Sequence, residues 1–509
     1  MKAFWLGVFL AASASASFAA ADDDEKKKPS SSSGGLTEDQ RRIERLEKEL
    51  EAIKAENAAR KAELPTRMSL DQDKKEPAKA DDLEFKASFT DGFHIKTADG
   101  SFDLHIGGRW LEEYRYTFNR RSDGTLRTST NTFYAREVFI SLDGTLFKDF
   151  GFKVNGDFSQ NQTAGVATAA PAGTTVSTGA IIEEAWVEWK SFKEFRLMFG
   201  SFKAPASFEI TDSPRFAKLI QRSPMARFEP NFDTGIKAYG SFMDTTFTYE
   251  LAVTNGRSHL ANTGRDNTDD NDGKEYDGRI TIAPFASDKD SPFKYFRVGV
   301  YGTFAHIGQN TGINPTGWPG NISTNELAVN YYQFPAGSAR MAGDRYRVGG
   351  EATFAYGPAM VRGEFMTRND ELTDLAGVGT GQHSLLRTVG YYVEGSVLLT
   401  GEDEIPNGRV VPKNPFNPSQ GTWGAFELVG RFGCVSMDRS VLEDLGSVFP
   451  GANSNRASSI TLGFWWWPIP NVRFGMDYVA ENYYSGVQLS GVHHGSHVNG
   501  ILARAQVDF

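Results

Sequence analysis

Residues 499–509 read NGILARAQVDF. Ile501, Ala503, Ala505, Val507 and Phe509 are apolar, while Arg504, Gln506 and Asp508 between them are polar. A two-residue period sends successive side chains to opposite faces of a strand. The segment therefore reads as a strand with one greasy face and one wet face. The same period recurs upstream. Phe102, Leu104 and Ile106 share a face. Phe152, Val154 and Phe158 oppose Lys153, Asn155 and Asp157, and Phe247, Tyr249, Leu251 and Val253 oppose Thr248, Glu250 and Thr254. RITIAPF, RVGVYGTF, AMVRGEF, SITLGFWWW and NVRFGMDYV continue the pattern. About sixteen such segments of roughly 9–15 residues emerge, long enough when tilted to cross the hydrocarbon of a bilayer.

Composition agrees. The 509 residues hold 52 glycines and 13% aromatics, yet only 39% are hydrophobic, and mean hydropathy is −0.41. That mixture suits antiparallel strands wet on one side. A net charge of −10, with no basic tract, argues against a nucleic-acid partner. The single cysteine, Cys434, permits no intrachain disulfide and reads as a small apolar strand residue.

The N-terminus, MKAFWLGVFLAASASASFAAADDDEKKK, reads as a secretory signal over 1–21. Lys2 supplies the charge, Ala3 to Leu10 the apolar stretch, and small residues the cleavage site after Ala21 or Ala19. The rival reading, a membrane anchor, founders on how early the apolar stretch gives way to Ala and Ser. A polar linker spans 22–35. A capping box, Thr37 to Gln40, opens a helix over 36–65. Leu36, Ile43, Leu46, Leu50, Ile53 and Leu64 follow a three-to-four spacing, with Asn57 at a core position. This predicts a short coiled coil, the alternative being a single solvated helix. Pro65 ends it. Residues 66–98 are expected as a flexible linker and 99–509 as the barrel. Beyond the signal, no apolar run of 18 residues occurs, so a membrane would be crossed with strands.

The connections alternate long and short. Long 203–232 is followed by short SFMDTT, long 306–343 by AYGPA, and long 434–457 by WPIPN. A closed outer-membrane barrel has this asymmetry, with turns in the periplasm and loops outside. The exception is 401–421, a long connection where a short turn is due. An even strand number places both barrel ends on the periplasmic side. The last segment is then the closing strand, which removes the unpaired edge. Trp186, Trp189, Trp465, Trp466, Trp467, Tyr478, Tyr483 and Tyr484 are candidates for interfacial girdles. Strand phase is ambiguous around Arg136 and after Gly107–Gly108.

Several stretches resemble the phosphate-selective porin O and P family. AWVEWKSFKEFRLMFGSFKAPASFE (185–209) is similar to its strand-turn-strand and "G-x-F-K-x-P" entry into a pore-folding loop, and DSPRFAKLIQRSP (212–224) to that loop's continuation. YYVEGSVLLTGE (391–402), GAFELVGRF (424–432) and WWWPIPNVRFGMDYV (465–479) resemble later strands. The resemblance covers about residues 90–509. It implies a sixteen-stranded, trimeric outer-membrane channel of a Gram-negative-type bacterium that passes anions. It also implies that 401–421 is a periplasmic turn folded into the channel. A terminal aromatic resembles the signal read by outer-membrane assembly machinery, here Phe509.

An anion path needs guanidinium or ammonium groups replacing part of the ion's hydration shell. Basic residues on the polar phase include Arg109, Arg196, Arg279, Arg362, Arg431 and Arg473, with Lys153, Lys237, Arg297, Arg347 and Arg504 beside them. The loop 203–232 adds Lys203, Arg215, Lys218, Arg222 and Arg227, and the long turn Arg409 and Lys413. Acids share the phase, so many arginines are expected to brace strands instead. The loop 306–343 carries no lysine and only Arg340, a departure from the family's phosphate-capturing pattern. RDNTDDNDGKE (265–275) and HHGSH (493–497) are poor metal sites, and no metal or other cofactor is expected. No G-x-S-x-G, H-E-x-x-H or phosphate loop appears, so no enzyme is expected. The reading is a porin for small anions, inorganic phosphate or other oxyanions first. Its rivals are a general porin for small hydrophilic solutes and a structural protein tethering the outer membrane to the cell wall.

Overall fold

The computed structural model describes residues 85–120, 126–159, 181–256, 273–307, 321–333, 339–374, 383–444, 453–489 and 492–509. The expected signal, linker and coiled coil lie outside these residues.

The stretch expected as a flexible linker departs from that expectation once it enters the described region. β1 (Phe85–Phe89) and β2 (Phe93–Thr97) pair as an antiparallel hairpin. Phe85, Ala87, Phe89, Phe93 and Ile95 alternate with Lys86, Ser88, His94 and Lys96, the strand period. The turn uses left-handed backbone at Asp91 (φ 57°) and Gly92 (φ 119°), conformations that Asp tolerates and Gly favours.

The barrel runs β3 (Phe102–Arg120), β4 (Leu126–Leu146), β5 (Phe150–Asp157), β6 (Ile181–Trp189), β7 (Arg196–Lys203), β8 (Phe232–Phe242), β9 (Phe247–Thr254), β10 (Glu275–Ile282) and β11 (Arg297–Ile307). A small hairpin, β12 (Asn321–Ser323) and β13 (Asn330–Gln333), forms its own sheet. The barrel resumes with β14 (Ala339–Tyr356), β15 (Ala359–Asp374), β16 (His383–Leu398), β17 (Ala425–Met437), β18 (Arg456–Ile469), β19 (Val472–Leu489) and β20 (Val492–Asp508). Each of these sixteen strands pairs antiparallel with the next, and β20 closes on β3 through Gly500↔Thr117, Arg504↔Glu113 and Asp508↔Arg109. The barrel is closed, as the terminal alternation predicts.

Phe509 completes the seam. Its N–H donates to the Gly108 carbonyl at 3.0 Å, and Gly108 donates back at 2.7 Å. A Cβ at Gly108 would lie 2.5 Å from the far edge of the Phe509 ring, so the ring packs directly over the glycine. Below Phe509 the same edge of β3 is taken by β2, with Phe93↔Ile106 and Ile95↔Leu104.

The outward face is apolar. Ile460, Leu462 and Phe464 on β18 and Leu428 and Phe432 on β17 are 39–59% exposed, while inward Glu427 and Arg431 are buried. The girdle expectation needs a correction here. Trp466, Tyr478 and Tyr484 face outward, but Trp465, Trp467 and Tyr483 are buried in the lumen, and Trp186 packs inward beside Met198 and Phe202. Trp465 alternates with outward Phe464 and Trp466, and its indole N–H donates to the Lys218 carbonyl at 2.6 Å. An inward indole with a carbonyl partner is satisfied.

Three connections fold into the barrel. The segment 204–231 buries Phe208, Ile210, Leu219, Ile220, Met225 and Phe228. The long connection 399–424 buries Glu402, Glu404 and Val410. The β12–β13 hairpin buries Ile322, Leu327, Val329, Tyr331 and Tyr332. That last placement fits the loop's lack of lysine: it fills space.

Candidate functional site

The lumen is narrowed by the inward segment 204–231, and its backbone is held by wall side chains. Carbonyls of this segment face arginines. Arg473 donates to Ala217 at 2.8 Å and Pro214 at 3.4 Å, Arg431 to Gln221 at 2.8 Å, Arg504 to Ile220, and Arg347 and Arg368 to Phe228 at 3.0 and 3.2 Å. Its N–H groups face acids. Phe208 and Glu209 donate to Glu364 at 3.1 and 2.8 Å, and Ile220 donates to Asp477 at 2.7 Å. An irregular backbone inside a barrel must satisfy its polar groups this way.

This accounts for many of the arginines on the polar phase. Arg431 is ringed by Glu209 (3.3 Å), Glu326 (3.1 Å) and Glu394 (3.6 Å). Arg279 pairs with Glu351 at 2.8 Å and donates to Thr211. Arg362 bridges Glu394 at 2.8 Å and Asp212 at 3.3 Å. Arg473 lies over Trp465 at 4.1 Å and bonds Gln506. Lys218 sits buried between Glu404 and Glu427. Burial disfavours its charge, yet the two carboxylates hold its ammonium above the usual lysine range. Arg196 lies over Tyr239 at the turn end. The exposed Lys413 donates to the Gly401 carbonyl.

The open space lies on the other side of the segment. A cavity of about 440 Å³ is lined by Arg109, Arg136, Glu137, Lys153, Glu183, Glu184 and Lys203 from β3 to β7, and by Arg222, Arg227 and Glu229 from the inward segment. Arg362, Glu394, Arg431 and Arg504 line it as well. Arg109 pairs with Glu137 at 2.6 Å and Lys153 with Glu184 at 2.5 Å. Lys203 donates to the Asp212 carbonyl at 2.8 Å. Arg222 makes no hydrogen bond or salt bridge to a described residue, although the charges of Glu209, Arg136, Glu137 and Glu183 act on it. The Arg227 Nε is buried without a partner among the described residues. Burial pushes the guanidinium of Arg222, and that of Arg227, down from the usual range. Burial also raises the Glu229 carboxyl to about 7, against a hydrogen bond from the Tyr301 hydroxyl.

Arg136 and Glu183 were not singled out from the sequence, and two β-bulges explain why. Between β3 and β4 the register moves from Leu111↔Glu137 to Glu112↔Ala135, leaving Arg136 as the extra residue. Between β5 and β6 it moves from Asn155↔Glu184 to Gly156↔Ile182, leaving Glu183 extra. Each bulge lets two consecutive charged residues, Arg136–Glu137 and Glu183–Glu184, line the same cavity. The ambiguous phase around Arg136 was the available signal. Through Gly107–Gly108 the phase does not change.

Arg215 and Arg409 gather elsewhere, at the turn end. Arg409 pairs with Asp91 at 2.5 Å and with Asp508. Arg215 lies 3.4 Å from Asp508 and 3.6 Å from Asp91.

A sequence profile described as "Phosphate-selective porin O and P" matches residues 111–509. Porin O of Pseudomonas aeruginosa is 24% identical over 413 residues, covering 76% of this chain and 85% of that protein. Among solved structures, the outer membrane channel DcaP of Acinetobacter baumannii superposes with a TM-score of 0.47 at 13% identity, covering 81% of this chain and 99% of that one. OmpF of Salmonella typhi, in complex with daunomycin, does so with a TM-score of 0.47 at 10% identity, covering 83% and 100%.

Proposed function

The chain belongs to the phosphate-selective porin O and P family, and from that premise we propose that this outer-membrane channel passes small anions, phosphate-like oxyanions foremost, along Lys203, Arg222, Arg136 and Arg227. The protein is a porin and not an enzyme. The observation carrying the anion reading is the division of the basic groups. Those that hold the inward segment are matched to acids and carbonyls. Among those lining the cavity, Arg222 has neither kind of partner among the described residues, and Lys203 has only carbonyls.

A guanidinium without a carboxylate partner is free to take an oxyanion in a bidentate contact. A series of such groups in a narrow path lets an ion bind and then leave for the next. The reading includes export by residues 1–21, a periplasmic N-terminal helix, assembly through Phe509 and a homotrimer.

Planar-bilayer recordings test it. Reversal potentials in a KCl gradient should give chloride selectivity, and added inorganic phosphate should block the chloride current. Cation selectivity, or chloride current indifferent to phosphate, would leave a general porin for small solutes.

A further inference from the structure

The hairpin β1–β2 lies outside the ring of sixteen strands, yet its turn reaches the channel's turn-end mouth. Four elements converge there. Asp91 comes from the hairpin turn, Asp508 from the closing strand, Arg215 from the inward segment and Arg409 from the long connection 399–424. Arg409 touches both acids, at 2.5 Å for Asp91. Arg215 faces both at 3.6 and 3.4 Å and also donates to the Gly108 and Phe509 carbonyls at 3.4 Å. The turn is pinned by His105 of β3, whose Nε2 lies 2.8 Å from the Asp91 carbonyl while its Nδ1 faces Asp143.

The cluster adjoins the cavity. Ser213, Pro214 and Asn407 line that space, and they lie within two residues of Arg215 and Arg409. The Ser213 N–H donates to Asn407 at 3.0 Å, so the two inward connections meet there. Asp508 is buried, whereas Asp91 is half exposed to water. Two guanidinium groups thus stand at the mouth against one acid that belongs to the barrel and one supplied from outside it.

We propose that Asp91 is a specificity-determining residue that sets the charge of the turn-end mouth. With the hairpin seated, the Asp91 carboxylate sets a negative charge beside the two guanidinium groups. Without that carboxylate the mouth is more positive by one charge. The hairpin, which joins the barrel to the N-terminal segment, thereby tunes which ions enter from that end. This rests on the channel reading alone. Each variant is compared with wild type, so the outcome stands apart from whether the wild-type channel favours phosphate.

The test is the chloride-over-potassium permeability ratio of the full-length channel in planar bilayers. Asp91→Asn keeps the turn, because Asn tolerates φ near 57°. It should raise the ratio about twofold at low salt, the weight of one unscreened charge near water, and the rise should vanish near 1 M salt, where the Debye length is ~3 Å. Asp91→Glu should restore the wild-type ratio. Arg409→Gln reads the same mouth from the opposite charge and should lower the ratio about twofold. A purely anchoring role for Asp91 would move neither ratio with opposite signs nor with this salt dependence. Unchanged ratios in both folded variants overturn the proposal, as does a shift of the same sign in both. If Asp91→Asn fails to assemble, Arg409→Gln and its salt dependence decide alone.

Discussion

The two sides of the lumen use the same residue type in opposite ways. From β14 round to β20, arginines are buried against acids and against the backbone of the inward segment. Arg345 and Arg347 share Glu275 at 2.7 and 2.5 Å, and Arg368 makes a two-pronged contact with Asp370 at 2.7 and 3.0 Å. From β3 to β7 the wall opens on the cavity, which Arg136, Lys203 and the facing Arg222 line. What separates them is whether a loop crosses in front of the strand. Where it does, a guanidinium supplies donors to carbonyls that would otherwise be orphaned. On the cavity side Arg109 and Lys153 still pair with acids, and Arg222 has no such partner among the described residues. Buried ion pairs gain little net stability over apolar packing. Their role here is to fix where the inward segment lies, and so the shape of the cavity on the far side.

The largest effect should come from breaking a brace. Arg431→Ala leaves Glu209, Glu326 and Glu394 buried around an empty position and frees the Gln221 carbonyl. Removing one partner of a buried pair costs about 3–5 kcal/mol. The urea midpoint for unfolding from lipid vesicles should fall accordingly, and open-channel current should become noisy as the segment loosens. A variant of wild-type stability with altered selectivity would place Arg431 among the ion-facing groups and dissolve the contrast.

Arg222→Gln probes the opposite side. Its guanidinium has no salt bridge to lose among the described residues, so unfolding should shift by no more than about 0.5 kcal/mol. Its effect should appear in transport. A hydrogen bond to a charged group is worth about 1.5–3 kcal/mol, so phosphate block of the chloride current should weaken roughly tenfold or more. Lys203→Gln should act in the same direction. A stability loss as large as that of Arg431→Ala would show that Arg222 is another brace.

The barrel was legible because period two and alternating loop length are written residue by residue. The terminal strand read correctly, whereas the inward course of the 203–232 loop and of the 401–421 connection came from the family resemblance and not from the period. The hairpin was lost because five-residue strands sit in a charged stretch and draw their register from β3. The division of the arginines was not legible. Arg473 and Lys203 share a phase in their strands, and only the path of the inward segment decides that Arg473 meets carbonyls of 214 and 217 while Lys203 meets those of 211 and 212 at the cavity's wall. Nor were the bulges. A strict alternation sends one of Arg136 and Glu137 into lipid, and the extra residue that turns both inward follows from cross-strand register.

The smallest effect should be a pH step set by Glu229, which lines the cavity on the inward segment. Burial raises its carboxyl from the ordinary 4.5 to about 7, while the Tyr301 hydroxyl and Arg347 pull it down. The group is neutral below that pH and anionic above it. Each ionisation places a negative charge among the cations, so the chloride-over-potassium ratio should be highest in acid and fall about twofold as pH rises through 7. Chloride is the ion to use, because it does not titrate in this range. Stability follows the same sign. The unfolded chain gives up this proton near 4.5 and the folded chain holds it to about 7, so the contribution is present below 4.5 and is lost as pH climbs through 7. Glu229→Gln should hold the ratio flat at its acid-side value. A step that survives the substitution belongs to another group. A wild-type channel with no step would mean that the open side is governed by its cations alone, and the contrast between the two sides would then be sharper than Glu229 allows.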